Sequence, residues 1–120
     1  MRYVWVGLGG AFGSVARYAI GVRVDQSAFP WATLGINLSG AFLLGLFLTL
    51  ALGHLSVAAI TPVSVGVLGG FTTFSTFAWE GFTHARSGRV EVAVVYVVAS
   101  VIGGLLAAAG GYALGRALST

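Results

Sequence analysis

Apolar stretches long enough to cross a lipid bilayer take up almost all of this 120-residue chain, and their spacing constrains its fold more than any motif does. A spanning helix needs roughly 20 apolar residues, and the polar breaks leave four such stretches, at about 3–22, 31–53, 57–81 and 90–115. Of all residues, 58% are hydrophobic and 8% are charged, a balance that a domain facing water on every side does not tolerate. The pattern predicts an all-α integral membrane protein: one domain over residues 1–120, with four transmembrane helices, no linker and no internal repeat. The opening Met1-Arg2 and its apolar run are read as a retained helix, because Arg17 interrupts the run and no small-x-small cleavage site leads into a soluble domain. The break at Arg23, Asp25, Gln26 and Ser27 leads to Pro30, which suits a helix start. Gly53, His54 and Ser56 form a tighter turn, and His84 to Glu91 is the most polar stretch. Trp5, Trp31 and Trp79 fall near the expected helix ends, where amphipathic rings favour the lipid interface.

Charge and cysteine content exclude several functions. Six arginines and no lysine against Asp25, Glu80 and Glu91 give a net charge of +3, too small and scattered for a nucleic-acid footprint. The absence of cysteine removes disulfides, thiolate metal sites and cysteine nucleophiles. His54 and His84 read as loop residues, and no histidine or carboxylate cluster has acid-base or metal-site spacing, so no enzyme chemistry is expected. Arg2 and Arg116 fall on one side of the membrane and Arg23, Arg86 and Arg89 on the other, with Arg17 near the end of the first helix. So weak a bias is compatible with insertion in both directions or in one.

Small residues recur at four-residue spacing in the fourth stretch (Gly103, Ala107, Gly111, Gly115) and in the first (Gly9, Gly13). Such stripes let helix backbones approach closely, within a subunit or between subunits. Four helices can form one bundle but cannot also surround a pathway, so transport would demand an oligomer. The third stretch is the most informative, reading Gly69-Gly70-Phe71-Thr72-Thr73-Phe74-Ser75-Thr76-Phe77-Ala78-Trp79-Glu80. A glycine pair and four hydroxyl residues near mid-membrane predict a broken helix, whose freed backbone groups must be buried in protein or coordinate an ion. A glycine hinge with hydroxyls bonded back onto their own helix is the alternative. Phe74 and Phe77 share a helix face, either as packing or with partly positive ring edges turned to a small anion. Thr33 and Asn37 in the second stretch, and Tyr96 and Ser100 in the fourth, are each one turn apart and place further donors in line.

Taken together, Gly9-Gly10-Ala11-Phe12-Gly13, Arg17-Tyr18, Thr33-Leu34-Gly35-Ile36-Asn37, Gly40, the run Gly69 to Phe77, and Glu80 give the chain its character. It resembles, over essentially its full length, the small dual-topology fluoride channels of the Fluc or CrcB family. The resemblance implies an antiparallel homodimer in the plasma membrane of a prokaryote, with two fluoride pathways that let cytoplasmic fluoride leave passively. It implies that Phe74 and Phe77 line the pores, that Asn37 donates to fluoride, that Ser75 and Thr76 flank the rings, and that Tyr96 and Ser100 continue the polar track. It also implies a structural sodium ion on the dimer axis, held by the backbone carbonyls of Gly69 and Thr72 from both subunits. Arg17 becomes a pore-mouth residue and Glu80 a neighbour of the pore or a partner in an ion pair. The chain departs from the pattern at Gly104, where some relatives carry a hydroxyl residue. A small multidrug transporter, which also has four short helices, is the competing reading, but its acid inside the first helix is missing here. A packing subunit of a larger complex is a third.

Overall fold

The computed structural model describes all 120 residues, Met1–Thr120, and contains helices and turns but no strand. Helix α1 spans Arg2–Gly21 and α2 spans Trp31–Ala51. The third stretch begins as α3 (Val57–Thr61), widens into a π-helical segment (Pro62–Leu68) and closes as α4 (Gly69–Phe71). After a two-residue gap come α5 (Phe74–Arg86) and α6 (Val90–Leu118).

Local chemistry explains most of these boundaries. Ser56 starts α3 by accepting the Ala59 N–H on its hydroxyl at 3.3 Å. Pro62 sits inside the third helix, where its ring crowds the preceding turn and offers no N–H, and the wider π-turn begins there. Gly53 (φ +85°) and Gly88 (φ +83°) turn the chain through the left-handed region that side chains disfavour. Pro30 lies one residue outside α2 rather than within its first turn. The third stretch runs to Arg86, beyond the expected end near 81, and so places Trp79 well inside α5.

The break itself falls at Thr72 (φ −83°, ψ 159°) and Thr73 (φ −151°, ψ 126°), not at the glycine pair. The two threonines divide the work. Thr72 Oγ1 donates to the Leu68 carbonyl at 3.0 Å and closes the helix behind it, while Thr73 Oγ1 accepts the Thr76 N–H at 3.3 Å and caps the helix ahead. Gly70 serves a different purpose: a β-carbon there would stand 2.7 Å from the Gly10 carbonyl oxygen of α1.

Both small-residue stripes pack within the protomer. On α1, a β-carbon at Gly9 would stand 2.6 Å from the Pro62 carbonyl oxygen, and one at Gly13 would run into the Val67 carbonyl. Between α2 and α6, a β-carbon on Gly45 would meet the Ala108 carbonyl oxygen at 2.5 Å, one on Gly115 would meet Thr49 Cβ at 2.7 Å, and one on Gly111 would overlap the Phe42 carbonyl. The protomer is therefore two close helix pairs, α1 on the third stretch and α2 on α6, with α5 laid against α6.

Only 16 of 120 residues are buried, and large apolar side chains such as Phe12, Trp79, Leu105 and Leu106 are exposed, a surface suited to lipid or to another chain rather than to water. Trp31–Ala51, Val57–Arg86 and Val90–Leu118 are each long and apolar enough to cross a membrane. The chain is thus a multi-pass helical membrane protein. Its 49 Å long axis matches a bilayer of about 40–45 Å with headgroups included. Helix α1, 20 residues with Arg17 one turn from its end, has the length of a span but is less apolar.

The packing makes a direct prediction. Gly111→Ala should destabilise the protomer by about 1–3 kcal/mol in reversible unfolding from detergent micelles. Gly104→Ala, at a position with nothing within 4 Å, should be neutral or stabilise it by up to about 1 kcal/mol.

Candidate functional site

The break in the third stretch leaves main-chain groups to be satisfied, and the second helix supplies most of what they need. Asn37 turns its carboxamide onto Thr73, donating from Nδ2 to the Thr73 carbonyl at 3.0 Å and accepting the Thr73 N–H on Oδ1 at 2.9 Å. In an unbroken helix that N–H would bond to the Gly69 carbonyl. Its capture by Asn37 leaves the Gly69 carbonyl without a helical partner. The Thr72 carbonyl is freed in the same way, because the Thr76 N–H turns to Thr73 Oγ1. The Gly70 carbonyl is taken up by α1: Arg17 Nε donates to it at 3.3 Å, and the Ser14 hydroxyl stands at 3.5 Å, the edge of hydrogen-bond reach.

On one side of the break lies an open groove of about 520 Å³, lined by Asn37, Gly69, Thr72, Phe74, Phe77 and Ser100 among others, with no charged side chain. Asn37 Nδ2 has a second hydrogen beyond the one given to Thr73. Ser100 Oγ is buried at the groove with no hydrogen-bond partner. The Phe74 and Phe77 ring centroids are 5.8 Å apart, and the Phe77 ring meets Tyr96 edge-on at 5.1 Å. Phe74 is 77% exposed, so most of its ring is left uncovered by its own protomer.

On the other side is a smaller cavity of about 220 Å³, lined by Arg17, Gln26, Thr33, Thr76 and Glu80 among others. Thr73 lines both spaces, so the Asn37–Thr73 pair is part of the partition between them. Glu80 accepts a hydrogen bond from the Tyr96 hydroxyl at 3.1 Å, and Tyr96 is fully buried. Arg17 and Glu80 share the cavity without pairing, since the arginine donates to backbone and the carboxylate takes a phenol.

The model of the family described as CrcB-like protein, Camphor Resistance (CrcB), matches residues 4–112. The chain belongs to the CrcB family. One relative from Thermus thermophilus, named fluoride-specific ion channel FluC, is 49% identical over 121 residues, covering 98% of this chain and 95% of its own. Relatives of the same name from Magnetococcus marinus and Acidobacterium capsulatum are 45% and 43% identical; they cover 97% and 89% of this chain and 98% and 90% of their own.

Within this CrcB chain the residues singled out from sequence distribute unevenly. Asn37, Gly69, Thr72, Phe74, Phe77 and Ser100 meet at the groove, while Arg17, Thr76 and Glu80 meet at the smaller cavity. Tyr96 lines neither and instead touches Phe77 and hydrogen-bonds Glu80. Ser75 is exposed and lines neither space. Gln26 was not foreseen. Its signal was indirect: Pro30 before α2 cannot cap the helix, so an acceptor has to come from elsewhere in the loop.

Replacing Asn37 by Leu strands a donor and an acceptor of Thr73 in a part-buried site, and should cost about 2–5 kcal/mol of stability. Urea titration of the micelle-solubilised protein by tryptophan fluorescence checks this, and a loss under about 1 kcal/mol would mean that the pair does not hold the break.

Proposed function

We propose that this protein is a fluoride-selective channel that lets cytoplasmic fluoride leave a prokaryotic cell passively across the plasma membrane. It works as an antiparallel homodimer of subunits that each cross the membrane four times, α1 joining the three more apolar stretches as a span. The observation that carries the reading is the groove. It gathers two phenylalanine rings, a spare amide hydrogen on Asn37 and the unpartnered Ser100 hydroxyl along a path with no charge in it. Relatives nearly half identical over almost the whole chain are named fluoride-specific ion channels.

The physical logic is replacement of water. Fluoride is small and holds its hydration shell tightly, so a pore must offer donors at close spacing while staying too narrow for chloride. Asn37 and Ser100 offer hydrogens, and Phe74 and Phe77 offer the positive edges of their rings. In the proposed dimer the second subunit covers the open side of the groove and the exposed Phe74, and two pathways result. Dual insertion accords with the weak arginine bias.

The freed carbonyls of Gly69 and Thr72 suit a hard monovalent cation, and no charged side chain lines the groove to repel it. Two carbonyls from one chain are too few for such an ion, whereas the same pair from both subunits of a symmetric dimer makes four. A sodium ion bound there would supply positive charge that ties the two breaks together at the dimer axis.

Fluoride efflux from liposomes carrying the purified protein, followed by electrode under a potassium gradient with valinomycin, tests the proposal. The unsubstituted protein should empty the liposomes of fluoride. Phe77→Ile should slow efflux about tenfold, equivalent to ~1.4 kcal/mol on the barrier and within the range of an aromatic contact. Efflux unchanged by this substitution in an intact dimer would remove the ring-edge role.

A further inference from the structure

Gln26 lies in the loop between α1 and α2, and its carboxamide has only one workable orientation. Oε1 accepts the Thr33 N–H at 3.3 Å and stands 3.4 Å from the Thr33 hydroxyl. A backbone N–H can only donate, so the oxygen must face it, and turning the group over would set donor against donor. Fixing the oxygen also fixes the amide nitrogen. The two Nε2 hydrogens take no acceptor within the protomer, and Gln26 lines the 220 Å³ cavity with Arg17, Thr33, Thr76 and Glu80.

The loop that presents Gln26 is itself held on both sides. Asp25 accepts the Ser27 N–H at 3.0 Å and the Ser27 hydroxyl at 2.8 Å, and both bonds hold its carboxyl below the usual carboxylate range. Arg89, from the turn before α6, donates through Nη1 to the Ser27 carbonyl at 2.8 Å. Gln26 is therefore a positioned group.

The cavity's two charges give such a group a task. Arg17 attracts an anion, but a full charge held in low dielectric binds it too firmly for rapid transit. Glu80, engaged by Tyr96, repels it. A neutral donor between these extremes is strong enough to take the ion and weak enough to release it. We infer that Gln26 is an anion-binding residue of the small cavity, its Nε2 hydrogens donating to fluoride on the approach to the Asn37–Thr73 partition. This assignment rests on the fluoride-channel reading above.

Three proteins in the liposome efflux assay test it. Gln26→Glu keeps an oxygen for Thr33 but replaces both donors with an anionic oxygen. Val24→Glu puts the same charge on the same loop at a position that does not line the cavity. The third is the unsubstituted protein. Gln26→Glu should slow fluoride efflux about tenfold or more, as expected for loss of a charge-assisted hydrogen bond, and raise the half-saturating fluoride concentration. Its thermal midpoint should equal that of the unsubstituted protein, because the Thr33 acceptor is kept. Val24→Glu should leave efflux unchanged. Unaltered efflux in Gln26→Glu, an equal fall in Val24→Glu, or a fall that follows a lowered thermal midpoint overturns the assignment. Absence of fluoride efflux from the unsubstituted protein overturns the channel reading itself, and Gln26's role with it.

Discussion

A backbone that leaves its helix inside a membrane must find partners for the groups it exposes, because lipid offers none. Here one carboxamide, that of Asn37, meets both hydrogen-bonding groups of Thr73 and so makes an interruption of the third stretch tolerable. Much else follows from that pairing. It frees the Gly69 carbonyl beside the groove and divides the groove from the cavity that holds Arg17 and Glu80, while the Thr73 hydroxyl, by capping α5, frees the Thr72 carbonyl and starts the helix on which Phe74 and Phe77 share one space.

The pairing in turn depends on close helix approach. Gly9, Gly13, Gly66 and Gly70 let α1 and the third stretch touch backbone to backbone, which brings Arg17 and Ser14 to the Gly70 carbonyl. Gly45, Gly111 and Gly115 do the same for α2 and α6 and so fix the helix that carries Asn37 beside the one that carries Ser100 and Tyr96. The small residues act in the subunit's own assembly and leave its outer apolar faces uncovered.

Much of this was legible in the residues. Length and hydropathy marked an all-helical membrane chain, although the third stretch runs on to Arg86, and the run from Gly69 to Phe77 marked the broken segment, because glycine and hydroxyl residues have little other reason to crowd at mid-membrane. The position of the break was not legible. The glycine pair and the hydroxyl residues after it were equally open as its site, yet Gly70 is helical and spent on contact with Gly10, while the two threonines carry the extended conformation. Which stripe faces which helix is a tertiary fact that four-residue spacing leaves open. Asn37 read as a donor to an ion, and the backbone of Thr73 claims its oxygen and one of its hydrogens. Gln26 read only as part of the polar break before Pro30, because loop glutamines are common and only the geometry of Thr33 gives this one an orientation.

On the proposed function, an uncharged path of amide and hydroxyl hydrogens and ring edges passes fluoride and excludes chloride. Reversal potentials in planar bilayers, with fluoride on one side and an equal concentration of chloride on the other, address it most directly. The current should reverse only at a large potential of the sign set by the fluoride gradient, and should not respond when chloride is exchanged for an impermeant anion. A reversal near zero, or one that moves with chloride, would contradict it.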